Sequence, residues 1–140
     1  MRAAVASADG KHTANVIGYV DLPDVARQEL ALSGIVVKNG GAATVEREFG
    51  VSAAVGLSFQ VARATKTPAP VSVHYSLRDE LGQAVANIDV PHERAVPGAA
   101  GIESYDIGVR LPASPGRYVV TIEATAGHHS VHRSVPITVR

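Results

Sequence analysis

The chain has 140 residues, thirteen basic and thirteen acidic side chains, and no cysteine. That length suits one domain with a core of its own, and the balanced charge lacks the basic stripe of a nucleic-acid binder. Without cysteine there are no disulfides, thiol nucleophiles or thiolate metal sites, and no apolar run approaches the roughly 20 residues of a membrane-spanning helix.

The first segment, 1–24, reads as a β-hairpin. Arg2–Ser7 and His12–Asp21 flank Asp9-Gly10, two residues that tolerate positive φ and so favour a tight turn. Leu22-Pro23-Asp24 then breaks the strand. An isolated hairpin is marginal in water, so this one is expected to dock on the rest of the chain or to be the end of a preceding module. The N-terminus also lacks the apolar run of about 7–15 residues that a signal peptide carries. The chain is therefore expected to be cytoplasmic or a piece of a longer exported protein, and its start inside a strand favours the second.

From 25 to 140 the pattern is one of short strands. Val55, Leu57, Phe59 and Val61 alternate with Gly56, Ser58, Gln60 and Ala62. Val71, Val73, Tyr75 and Leu77 alternate with Ser72, His74, Ser76 and Arg78. Tyr105, Ile107, Val109 and Leu111 repeat the pattern, and so do Tyr118, Val120, Ile122 and Ala124. Successive side chains of a strand point to opposite faces, so each run has one buried face. Pro68, Pro70, Asp79-Glu80-Leu81-Gly82, Pro97-Gly98 and Pro112 to Gly116 punctuate them. A polar turn, 127–130, joins the last two. Seven strands are predicted, at 31–37, 51–63, 71–79, 84–90, 102–111, 117–125 and 130–139. Their spacing predicts an all-β fold: an immunoglobulin-like or fibronectin-type-III-like antiparallel β-sandwich with an additional N-terminal hairpin. Tyr118, just after Pro115-Gly116, is expected at a corner where its hydroxyl bonds nearby backbone.

Chemistry is sparse. His128, His129 and His132 cluster in the last hairpin and are the candidate metal ligands, since histidines brought together across a turn can share an ion. A solvated loop explains the same residues. His74, beside Ser72 and Ser76 and with Asp89 or Asp106 in reach, invites a serine–histidine–aspartate reading, but no Gly-x-Ser-x-Gly elbow is present and a serine on a flat strand lacks oxyanion donors. The carboxylates fall in turns or on polar faces. Tyr75, Tyr105 and Tyr118 sit in the apolar register, which removes the aromatic platform that a carbohydrate- or single-strand-binding face needs. No catalytic residue, cofactor site or cofactor is predicted.

Several blocks carry a resemblance. They are Gly18-Tyr19-Val20-Asp21-Leu22-Pro23-Asp24, Leu30-Ala31-Leu32-Ser33-Gly34-Ile35-Val36 and Val73-His74-Tyr75-Ser76-Leu77-Arg78-Asp79, with the stretches 115–124 and 133–140. Together they resemble the C-terminal β-rich region of bacterial von Willebrand factor A-related secreted proteins. The resemblance implies an extracellular or periplasmic, non-enzymatic module and carries over no catalytic residue; the Asp-x-Ser-x-Ser adhesion motif of the A domain is absent here. The expected function is a structural or interaction module of a larger exported protein, serving adhesion or assembly, with a protein partner, no nucleic acid and no membrane insertion. The strand at 84–90, ended by Pro91, is the expected exposed edge. A carbohydrate-binding module is the alternative, to be favoured if Tyr75 and Tyr105 are exposed and coplanar. A hydrolase or metal enzyme using the histidines is the third reading.

Overall fold

The structure is a computed structural model that describes residues 2–6, 13–17, 30–63, 70–98 and 101–140, with only the backbone described for the first two segments and for residue 93. Strands β1 (Arg2–Ala6) and β2 (Thr13–Ile17) pair antiparallel, from Arg2 opposite Ile17 to Ala6 opposite Thr13. The expected hairpin pairing is there, while its turn at Asp9-Gly10 and the breaker Leu22-Pro23-Asp24 lie outside the described residues.

The described strands from Leu30 to Val139 form two facing sheets. The first contains β3 (Leu30–Leu32), β4 (Val36–Asn39), β5 (Ala42–Ala43), β7 (Ala54–Arg63), β10 (Ala95–Pro97) and β11 (Ile102–Arg110). Its order is β10-β11-β7-β4-β5, with β3 also on β7. The second contains β6 (Glu48–Phe49), β8 (Val71–Asp79), β9 (Ala84–Val90), β12 (Gly116–Ala126) and β13 (His129–Val139), in the order β6-β13-β12-β8-β9. A single 3₁₀ turn, His92–Arg94, connects β9 to β10. All described pairings are antiparallel except that of β6 with β13. After β7 the chain therefore crosses between the sheets in pairs, β8-β9 to the second, β10-β11 to the first and β12-β13 to the second, which makes a sandwich, and the predicted fold class holds.

The core is the set of inward positions that the alternation marked. Leu57, Phe59 and Val61 of β7 and Tyr105 and Ile107 of β11 face Val73, Tyr75 and Leu77 of β8 and Val120, Ile122 and Ala124 of β12, and all are buried. Phe59 and Tyr105 stack with ring centroids 5.1 Å apart and planes within 7°.

Two predicted strands differ in detail. The strand expected at 31–37 is split, because Ser33, Gly34 and Ile35 stand opposite only Phe59 and Gln60, three residues against two. This bulge shifts the inward register from Leu30 and Leu32 to Ile35 and Val37, all four buried. Ser33 holds it from both ends: its N–H donates to Gln60 O at 2.9 Å, and its Oγ accepts from Gln60 N–H at 2.8 Å. The strand expected from 51 starts at Ala54, because Gly50 to Ala53 form a turn in which Ala53 N–H reaches Gly50 O at 3.2 Å and Ser52 has φ of +58°. The last hairpin is tighter than the polar run suggested. Only Gly127 and His128 lie between the paired Ala126 and His129, and Gly127 takes φ of +58°, which suits glycine at the first position of a two-residue loop. Tyr118 makes the expected corner, donating from its hydroxyl to Ser114 O at 2.8 Å.

Candidate functional site

The polar face of the second sheet carries a line of titratable side chains. The register places His132 of β13 opposite Glu123 of β12, Glu123 opposite His74 of β8, and His74 opposite Asp89 of β9. A row of alternating base and acid thus crosses four strands. His74 is its best-held member: Nδ1 meets Asp89 Oδ1 at 2.7 Å and Nε2 meets Asn87 Oδ1. Hydrogen bonding to Asp89, then to Asn87, raises the His74 pKa above the ordinary histidine value against a small opposing effect of burial, and the charge of Glu123 adds to it. A protonated ring donates from both nitrogens, so this site favours the cation.

This arrangement gives His74 an acid partner, as a triad requires, but turns its other nitrogen to an amide oxygen, where a triad needs a serine hydroxyl. The histidines of the terminal hairpin disperse. His128 lies in the turn, and His129 and His132, three residues apart on one strand, project to opposite faces. Among the described residues no three His, Cys, Asp or Glu side chains gather at metal-binding distances. The sequence distance between Glu123 and His132 hid their cross-strand pairing, which a two-residue hairpin loop would have revealed.

On the first sheet the outer face holds a shallow groove of about 590 Å³ with a polar floor that includes Ser58, Gln60, Ser104 and Asp106 and apolar flanks at Val36 and Val96. Lys38 reaches across the strand at Gly56 to Asp106 Oδ2 at 2.7 Å. A Cβ at Gly56 would stand 3.2 Å from Lys38 Cβ, so glycine leaves the lysine stem its path. The Lys38 ammonium holds Asp106 below the usual carboxylate range. No ring is offered to a sugar here. Tyr75 and Tyr105 are both 2 % exposed and face the core, as their register indicated, and burial pushes both phenols up to about 12. The Tyr105 hydroxyl reaches Glu103 Oε2 at 3.2 Å, whereas the Tyr75 hydroxyl is buried without a partner among the described residues.

The expected edge strand is an edge. β9 pairs with β8 and with no other strand among the described residues. Natural sandwiches guard such edges with charge, proline or bulges. Here a bulge leaves Val85 unpaired at one end and Pro91 closes the other. Between them, Ala86 to Val90 holds one charged residue, Asp89, whose carboxylate is engaged by His74. Ile88 is 55 % exposed at the centre of this stretch. One side of a short, mostly uncharged strand therefore presents its backbone groups to solvent.

No protein-family model matches the sequence, and no curated protein sequence matches it. Solved structures do share the fold. The C-terminal domain of Wzt superposes with a TM-score of 0.61 at 11% identity, covering 83% of this chain and 81% of that one. The CARDB domain of the PF1109 protein from Pyrococcus furiosus, solved in complex with di-metal ions, gives 0.50 at 14% identity over 89% of this chain and all of that one. A family 123 glycoside hydrolase from Clostridium perfringens gives 0.52 at 14% identity, but this chain spans only 27% of its length. At such identities the likeness is one of fold alone: this chain is an all-β sandwich.

Proposed function

We propose that the chain is a non-enzymatic interaction module of a larger exported protein, and that it recognises an extended protein segment by adding it as a further strand beside β9. The export and the assembly or adhesion role follow from the resemblance noted in the sequence. The observation that supports the recognition mode is the open side of β9, where Ala86 to Val90 carries little charge and exposes Ile88. Backbone hydrogen bonds from such an edge supply affinity, and alternate side chains of the added strand supply selectivity. The fold neighbours, which are themselves domains of larger proteins, are consistent with a module of this kind.

Selection of displayed seven-residue peptides on the chain tests this. Peptides of alternating β-formers should be enriched, and Ile88→Lys, which places an inward-pointing charge on the edge, should weaken them roughly tenfold or more, while thermal stability is kept because Ile88 is already largely exposed. Enriched peptides that bind the Ile88→Lys chain as well as the unaltered one would overturn the proposal. Sedimentation of the chain alone covers the competing occupant: a dimer that Ile88→Lys dissolves would make a second copy, not a foreign segment, the strand beside β9.

A further inference from the structure

Between β9 and β11 the two sheets part at their lateral seam. β10 covers β11 only at Glu103 to Tyr105, so among the described residues the stretch at Ile107 to Val109 has no neighbouring strand on that side. A cleft of about 170 Å³ opens there. Its walls are apolar, Ile88 and Val90 from one sheet and Ile107 and Val109 from the other. Two polar groups join them. Tyr75, 2 % exposed, lines the cleft, and its buried hydroxyl has no hydrogen-bond partner among the described residues. Arg94, exposed on the 3₁₀ turn, also lines the cleft, and among the described residues it has no ion-pair partner. Among the described residues that line the cleft Asp89 is the one acid, but its carboxylate is turned to the outer face, where it is held by His74.

A buried hydroxyl without a partner is costly, and a site that leaves one unpaired favours whatever supplies the missing bond. A guanidinium nearby selects an anion, and among anions one matched to its planar fork. The apolar walls require that this anion be carried on a hydrocarbon stem. We infer that the cleft between β9 and β11 is a binding site for a carboxylate borne on a short apolar body, with Tyr75 donating to the carboxylate, Arg94 pairing with its charge and Ile88, Val90, Ile107 and Val109 enclosing the stem. Such a group has two sources: a free small acid, or the acidic side chain of a segment lying along β9, whose inward-pointing side chains would fall over this seam. The inference goes beyond strand addition at β9, because the free acid needs no edge pairing.

The test uses two probes and their neutral counterparts on the full chain, followed by amide NMR shifts. The first is 3-methylbutanoate against 3-methylbutanamide; the second is a capped peptide Thr-Val-Thr-Glu-Thr-Val-Thr against the same peptide with Gln for Glu. At least one acid should give saturable shifts at residues around the cleft and bind roughly tenfold tighter than its amide, the worth of one charge-assisted bond. Tyr75→Phe and Arg94→Gln should each weaken that acid by a similar factor, with the thermal transition as a control on folding. Saturation by the free acid assigns the site to small acids, and saturation by the peptide alone assigns it to a docked strand. If neither acid saturates, if the amides bind equally well, or if both variants bind like the unaltered chain, the inference fails. Binding of the Gln peptide along β9 with no preference for Glu would sink the cleft while leaving the edge intact. Acid binding at the cleft, with selected peptides indifferent to Ile88→Lys, would do the reverse.

Discussion

Three tyrosines in the sandwich share one sequence signature, an aromatic ring at an apolar position of an alternating strand, and the structure gives them three different hydroxyl environments. Tyr118 donates to Ser114 O, Tyr105 reaches Glu103, and Tyr75 meets no partner among the described residues. Alternation predicts where a ring goes and is silent about its oxygen, because a hydroxyl's partner comes from whatever loop or strand end happens to lie beyond the ring. Tyr118 is the exception, since Pro115-Gly116 before it marked the corner. The difference has an energetic consequence. Tyr118→Phe removes a bond that a buried ring makes to the corner, so it should cost about 1 kcal/mol and lower the melting temperature by roughly 3–5 °C. Tyr75→Phe removes a hydroxyl that bonds nothing described, so its effect should lie within about 0.5 kcal/mol of zero or be stabilising. Calorimetry of both variants in one buffer checks the pair, and equal losses would show that the Tyr75 hydroxyl has a partner after all.

At the scale of elements, strands were legible and their interruptions were not. The runs at 71–79 and 84–90 match β8 and β9 residue for residue, whereas the bulge at Ser33 and the turn at Ser52 escaped, because each depends on a backbone contact with a segment distant in sequence. Ser52 N–H donates to Pro112 O at 2.9 Å, which helps fix a left-handed serine in a turn position that glycine would fill more easily. A left-handed L-residue costs about 1–2 kcal/mol, and glycine returns roughly half of that through unfolded-state entropy. Ser52→Gly should therefore stabilise by about 0.5 kcal/mol, while Val51→Gly, one residue earlier and without positive φ, should destabilise; thermal melts of the two decide it. The clamp of β9 on β8 is a second element-level device. Because the His74 pKa is raised in the folded chain, its protonated form adds stability that is full below the unfolded value of about 6.5 and is lost as pH rises through the higher folded value. The pair is largely exposed, so solvent screening limits the effect to about 0.5 kcal/mol. Between pH 6 and pH 8 the unaltered chain should lose slightly more stability than Asp89→Asn, and identical pH profiles would remove Asp89 as the cause.

For the whole molecule, six of the seven predicted strands appear as long strands, the seventh being split at Ser33, and the faces that alternation marked are buried, which is enough for a sandwich. The sequence did not show β5, β6 and β10, strands of two or three residues that carry no periodicity and exist only because a neighbouring edge accepts them. Those edges are where the proposed strand addition would take place. The second sheet ends in β9 on one side and in β13 on the other, where β6 covers only Thr138 and Val139. The two edges are defended unequally. Pro136 lies within β13 opposite Val119, and since proline cannot donate to the ladder, its nitrogen is tolerated where it faces away from β12, toward the open side. Arg133 stands opposite Ile122, a fully buried residue, and so places a charge at an inward position of the same edge. Both are devices that prevent strand addition. β9 has neither between Ala86 and Val90. Strand addition should accordingly be confined to β9 in the unaltered chain, and removing the guards should open the second edge. Arg133→Val combined with Pro136→Val is expected to self-associate in a concentration-dependent manner, and to do so even when Ile88→Lys blocks β9. Sedimentation velocity across a hundredfold range of concentration reads this directly. A triple variant whose sedimentation does not change with concentration would mean that something other than Pro136 and Arg133 protects β13, and the asymmetry that assigns recognition to β9 would lose its physical basis.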